Sequence, residues 1–460
     1  MDSKKQFSTK YVDVLDGVRA ISVIIVLIFH FWQQTWIFPT LKTPFLGFLG
    51  IRTIDFTPFA KVGYLFVDMM VLISGFLLFL PVARNMLFGE PLSKWRDYYK
   101  KRAVRILPSY LFCVLALFVY ELAADGYGGS AGRAILDLLS HLTFTHMWRV
   151  ETYLSTKLNV VLWTLAVEVW FYILFPIIAG ILRRKKKEKV CTVPVLRAVI
   201  AAAVMIGISF IYIYLYALNT GSGFTEAVDG TLAALGSGIR SSYPSMIINQ
   251  LPAFFGTYAV GLLGALVYAA VAAKLKPRWW TGGLFTAASV GFIYVIVQMI
   301  KSCAALPAAD AQIWQMTQRL PLALVFMGFI LCTAFSARWF RFLFANPLMR
   351  FLSIISYNLY IWHQWLCVKL KNDWNIPAWP EGPADAPPNQ WQGSGYSAAE
   401  IKAGKAWSAE YALVITLFAF GAAILATYLI ERPAADLLNG RKSIYNGKIA
   451  ELFSGKKRGK

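Results

Sequence analysis

Apolar residues in this 460-residue chain come in long runs, broken by short polar and basic segments. Roughly 20 apolar residues cross the hydrocarbon core of a bilayer, so each run reads as a membrane helix. The pattern predicts ten helices, over about 15–37, 61–82, 104–123, 160–182, 194–218, 247–272, 279–300, 319–337, 346–369 and 407–431. A shorter apolar stretch at 134–147 is expected to be interfacial or re-entrant. Residues 375–398, rich in Pro, Gly, Ala and Gln, read as an external loop. No strand pattern and no internal repeat stands out, and no stretch is left for a separate soluble domain. The first run is full length and lacks a small-residue cleavage site, so it is expected to stay in place. The fold class is all-α: a polytopic membrane bundle over 11–438, with a basic tail over 439–460.

Composition agrees. Hydrophobic residues make up 58% of the chain, above the roughly 45–50% usual for soluble domains. The net charge of +21 would point to nucleic acid in a soluble protein. In a membrane protein it marks cytoplasmic loops instead, and no nucleic-acid partner is expected. With the N-terminus inside, more than two-thirds of the 45 Lys and Arg fall on the inner side. Both termini are therefore expected in the cytoplasm, and "RRKKKEK" at 183–189 reads as an orientation signal. The five cysteines (Cys113, Cys191, Cys303, Cys332, Cys367) show no metal or redox spacing, and no disulfide framework is expected.

Ionisable groups inside such helices are costly and mark function by default. Arg19 and His30 sit in the first helix. Eleven residues are close to three turns, so both face one way, roughly 16 Å apart. Asp68, Glu168 and His363, from three other helices, are expected to share the outer level of His30. Arg102 and Arg105 lie three residues apart at the cytoplasmic start of the third helix, on one face with Arg19 nearby. Arginine forks suit phosphate, and a histidine in a dry site suits general-base work on a hydroxyl. A carboxylate could orient that imidazole. The pattern fits a ligand with an anionic head in the cytoplasm and a reactive end in the membrane, such as an acyl-CoA.

These residues also carry a resemblance. "LDGVRAISVIIVLIFHF" (15–31), "YLFVDMMVLISGFLLFLP" (64–81), "YYKKRAVRILPSYL", "VLWTLAVEVWFYILFPII" (161–178), "ISYNLYIWHQWL" (355–366) and "TYLIERPAADL" (427–437) resemble, in order, six motifs of the acyltransferase type 3 family of integral membrane acyltransferases. The likeness runs from about residue 11 to 438. Two departures stand out: Val169 and Trp170 stand where the family has Glu and Gln, and the serine-rich start of that motif is reduced to Thr164 and Ala166. The resemblance implies transfer of an acyl group, commonly acetyl, from cytoplasmic acyl-CoA to a hydroxyl of an extracytoplasmic acceptor such as a cell-surface or lipid-linked glycan. It implies a place in the cell membrane and no permanently bound cofactor. His30 and Glu168 are expected in catalysis, and Arg19, Arg102 and Arg105 at the donor. Asp68, His363, Trp163 and Tyr172 are expected at the substrate.

The alternative class is a transporter of a glycan intermediate or small solute; the missing repeat speaks against the common transporter folds. His141 and His146 have no third ligand close in sequence, so no metal site is expected. Trp374, Trp379 and Trp391 in the external loop could stack on a glycan.

Overall fold

The structure is a computed structural model. It describes residues 7–36, 39–50, 52–184, 192–219, 246–276, 278–380 and 395–441. The run 185–189, the loop 381–394 with Trp391 and the tail beyond 441 lie outside the described residues.

Among the described residues, ten long helices form the bundle. They are α1 (Val14–Thr35), α2 (Phe66–Phe88), α3 (Trp95–Ala123), α4 (Trp163–Leu182), α5 (Thr192–Asn219), α6 (Leu251–Lys274), α7 (Trp279–Ala304), α8 (Ala308–Phe335), α9 (Pro347–Asn372) and α10 (Ala398–Ala426). Among the described residues, nine are long and apolar enough to cross a membrane. Hence the chain is a multi-pass membrane protein. The tenth, α9, is diluted by Arg350, Ser353, Ser356, Asn358, His363, Gln364 and Lys369. It runs through the middle of the bundle, against α1 and α10.

Two helices begin well before their apolar runs. Helix α3 starts at Trp95 and α8 at Ala308, nine and eleven residues ahead of expectation. Lys, Arg, Gln and Ala are good helix formers, and hydropathy does not see them as helix. Arg102, Arg105 and Arg319 are consequently interior helical residues. Helix α10 begins early as well, on a capping box between Ser397 and Glu400. It then widens into a π turn over Thr427–Glu431 before a last helix, Arg432–Leu438.

The stretch expected to be interfacial folds as a short helix, Ala131–Leu142, followed by single turns. Against the expectation of no strands, Thr40–Lys42 pairs antiparallel with Thr53–Asp55 between α1 and α2. Close helix approach depends on small residues. A Cβ on Gly261 of α6 would lie 2.8 Å from the Phe76 backbone nitrogen of α2. The two helices touch at their backbones, and α2 is thereby buried at the centre.

Candidate active site

Helix contacts set the levels of the site. Ring centroids of His30 and His363 lie 5.0 Å apart. Asn159, just before α4, donates to the Ile361 carbonyl at 2.7 Å, and Tyr360 donates to the Val161 carbonyl at 3.3 Å. Helix α4 therefore begins level with His363, and Glu168, five residues into it, lies about 7.5 Å further along. Ser74 of α2 donates to Glu168. Asp68, six residues earlier on α2, is about 9 Å closer to the His30 level. The structure thus separates Glu168 from the histidines.

Glu168 lines a cavity of about 80 Å³ with Arg19, Arg102, Arg105, Ser74 and Tyr360. Its carboxylate also accepts from the Tyr172 hydroxyl, and Ser74 Oγ and Tyr172 OH are 3.1 Å apart. The Arg102 guanidinium lies 5.2 Å from the Tyr172 ring centre. Tyr172 accordingly belongs to the cluster of Glu168, Ser74 and Arg102. The expected meeting of Arg19 with Arg102 and Arg105 is present. Three guanidiniums face one carboxylate among the charged lining residues, which leaves a cationic cavity inside the bundle. Such a site favours an anionic ligand.

A second, larger cavity of about 900 Å³ holds His30, Asp68, Trp163, Tyr64, Gln33, Gln315 and Gln364 in its wall. His30 Nδ1 is 3.0 Å from Gln33 Oε1, one turn away. The amide oxygen accepts from Nδ1–H, so Nε2 carries the lone pair. Gln33, rather than Asp68 or Glu168, orients the imidazole. Asp68 has its own partners: Arg319 Nε at 2.8 Å and Gln315 Nε2 at 3.3 Å. Arg319 is buried, donates to the Ile248 carbonyl and lies 4.1 Å from the Phe254 ring centre. Both Asp68 oxygens are therefore turned to this chain.

His363 is fully buried behind the His30 ring, not at the outer rim. Its Nδ1 reaches the Tyr360 carbonyl at 2.8 Å, and its Nε2 has no hydrogen-bond partner among the described residues. Contact with a substrate in the large cavity is not what that position offers. Trp163 lines the large cavity. His141 and His146 stack at 4.0 Å, and His141 Nδ1 is 3.3 Å from Asp137 Oδ1. Asp137 also accepts from Tyr127 and Thr156, bracing the short helix. Trp374 donates to Tyr120 and Trp379 packs on Trp407.

The cavities adjoin. Val67 and Tyr360 line both the large and the small one. Val67 and Tyr360 thus form the wall that the cationic cavity shares with the cavity of His30. Gln33, Gln315 and Arg319 were not singled out from the sequence. Gln33, three residues from His30, could have been found from helical spacing alone.

The molecule is a multi-pass bundle with a cationic cavity beside one lined by a histidine. The family model described as an acyltransferase domain matches residues 12–432, and the chain belongs to that family. It is 21% identical over 374 residues to a putative O-acetyltransferase, SACOL0978, of Staphylococcus aureus (strain COL), covering 77% of this chain and 50% of that one. It is 26% identical over 223 residues to the O-acetyltransferase OatA of Staphylococcus aureus (strain NCTC 8325 / PS 47), covering 45% of this chain and 31% of that one. The chain spans half or less of the length of these relatives. No solved structure matches it.

Proposed function

We propose that the chain is a membrane O-acyltransferase. It takes an acyl group from cytoplasmic acyl-CoA and passes it to a hydroxyl of an acceptor on the other side of the cell membrane. The observation that carries this reading is the cationic cavity of Arg19, Arg102 and Arg105 adjoining the cavity of His30, with Val67 and Tyr360 in both walls. Guanidiniums bind phosphates bidentately, so they would hold the diphosphate while the thioester arm extends past Val67 and Tyr360. The names of the relatives favour acetyl as the group moved.

In the transfer, His30 Nε2 takes the proton from the acceptor hydroxyl as its oxygen attacks the thioester carbon. The C–S bond breaks, and the thiolate leaves with the proton returned from the imidazolium. Gln33 fixes the ring throughout. Glu168, with Ser74 and Tyr172, offsets part of the arginine charge and orders the donor side. The large cavity presents Gln33, Asn249, Gln312, Gln315 and Gln364 among Trp32, Trp163 and Tyr153. Amides and aromatic faces suit a neutral, many-hydroxylated acceptor such as a glycan.

Donor binding is the direct test. Charge-assisted hydrogen bonds contribute roughly 1.5–3 kcal/mol each, so Arg102→Ala should weaken CoA binding about tenfold or more, with the fold retained. Unchanged CoA affinity in a folded Arg102→Ala/Arg105→Ala protein would reject the donor site. Sidedness is tested separately. The Lys and Arg bias puts the start of α1 in the cytoplasm, so a cysteine at position 385 should label from outside in intact cells. Labelling there only after permeabilisation would reverse the orientation.

A further inference from the structure

Leu77 and Arg102 belong to the small cavity and also to a third, of about 150 Å³, at the end where α3 begins. Apart from Arg102 and Tyr98, its polar and aromatic wall has had no role so far. Its wall contains Ser93 from the α2–α3 loop, Trp95, Tyr98, Lys101 and Arg102 from α3, and Phe175 from α4. Trp95, Tyr98, Arg102 and Arg105 are residues i, i+3, i+7 and i+10 of one helix, so they form a single stripe. The stripe passes from two aromatic rings to two guanidiniums.

The rings are not equivalent. Tyr98 is committed: it stacks on Phe175 at 5.3 Å and 27°, and its hydroxyl donates to the Tyr172 carbonyl at 3.2 Å. Trp95 meets Tyr98 only edge-on, at 6.3 Å and 89°, and is 37% exposed. Trp95 thus has no stacked ring among the described residues and borders the cavity. Lys101, exposed beside Arg102, adds a cation where the aromatic part of the stripe gives way to the basic part.

We propose that this third cavity is a nucleotide subsite, in which Trp95 stacks on an adenine base and Lys101 and Arg102 hold the phosphates attached to it. The inference rests on the acyl-CoA reading and names the part of the donor that reading leaves unplaced. The order of groups agrees: base at the mouth, phosphates at the arginines, thioester arm running inward to His30. From Trp95 to Arg102 is about 10 Å along α3, so base and phosphate are held at separate stations. A tryptophan serving only as an interfacial belt residue needs neither the cavity nor the cations beside it. Trp279, 89% exposed at the start of α7, is such a residue and lines none of the three cavities.

The test is calorimetric binding of adenosine 3′,5′-bisphosphate to the purified full-length protein, which needs no turnover. The wild type should bind it. Trp95→Ala should weaken binding about tenfold or more, the scale of one lost base–aromatic stack. Trp95→Phe should recover most of the loss, and Trp279→Ala should bind as the wild type does. In parallel, the kcat/KM preference for acetyl-CoA over acetyl-pantetheine should shrink by a similar factor in Trp95→Ala/Lys101→Ala, mainly through KM. Absence of nucleotide binding by the wild type, or equal binding by Trp95→Ala and wild type, overturns the subsite. So does equal weakening by Trp279→Ala. Nucleotide binding without cleavage of either thioester would keep the subsite and remove the acyl-CoA reading instead.

Discussion

Replacing His30 by alanine is expected to remove acyl transfer while leaving donor binding in place. General-base assistance is typically worth about 10²–10⁴-fold in rate, and that is the expected loss in kcat. The arginines that would hold the donor line a separate cavity, roughly 16 Å along α1 from His30. The affinity for CoA should therefore change little. Gln33→Ala should give a smaller loss of the same kind, because it frees the imidazole to turn without removing it. The measurement is steady-state acyl transfer beside equilibrium CoA binding on the same preparation. A folded His30→Ala protein that transfers at the wild-type rate would exclude His30 as the base. Loss of CoA binding together with turnover would make His30 a packing residue between α1 and α9.

The largest stability effect is expected at Asp68 and Arg319. Their side chains are 1% and 3% exposed and pair at 2.8 Å between α2 and α8. Removing one partner leaves the other charge buried and uncompensated, at a cost of about 3–5 kcal/mol. Asp68→Ala and Arg319→Ala should each lower the unfolding midpoint markedly in detergent. Arg319→Ala also loses the bond to the Ile248 carbonyl and the contact with Phe254. The paired replacement Asp68→Leu/Arg319→Met should recover much of the loss, since buried ion pairs often exchange for apolar pairs at little net cost. Thermal unfolding of the three variants decides this. A single variant that melts with the wild type would mean that water or lipid headgroups reach the pair.

The number and rough positions of the helices could be read from the sequence because membrane length is a strong constraint on apolar runs. The Arg19–His30 face and the arginine cluster could be read because helical spacing fixes which residues share a side. What could not be read follows from the same limits. Hydropathy missed the polar start of α8, so Arg319 stood at a helix end and no partner for Asp68 was visible. Counting residues from an apolar boundary put Glu168 level with His30. Helix α4 instead begins deeper, pinned by Asn159 and Tyr360 at the level of Ile361. His363 lies near the expected level but behind the His30 ring, a matter of side-chain direction that depth alone does not give. The hairpin at Thr40–Lys42 and Thr53–Asp55 is too short to show an alternating pattern.

The central claim is that the acyl group leaves a CoA thioester in a step that His30 performs. Membrane vesicles from cells making the wild type or His30→Ala, supplied with acetyl-CoA labelled in the acetyl group, test it most directly. Wild-type vesicles should move label onto envelope material and release one CoA thiol per acetyl transferred, and His30→Ala vesicles should do neither. Label transfer at equal rates in both, or none in wild-type vesicles that contain the folded protein, would contradict it.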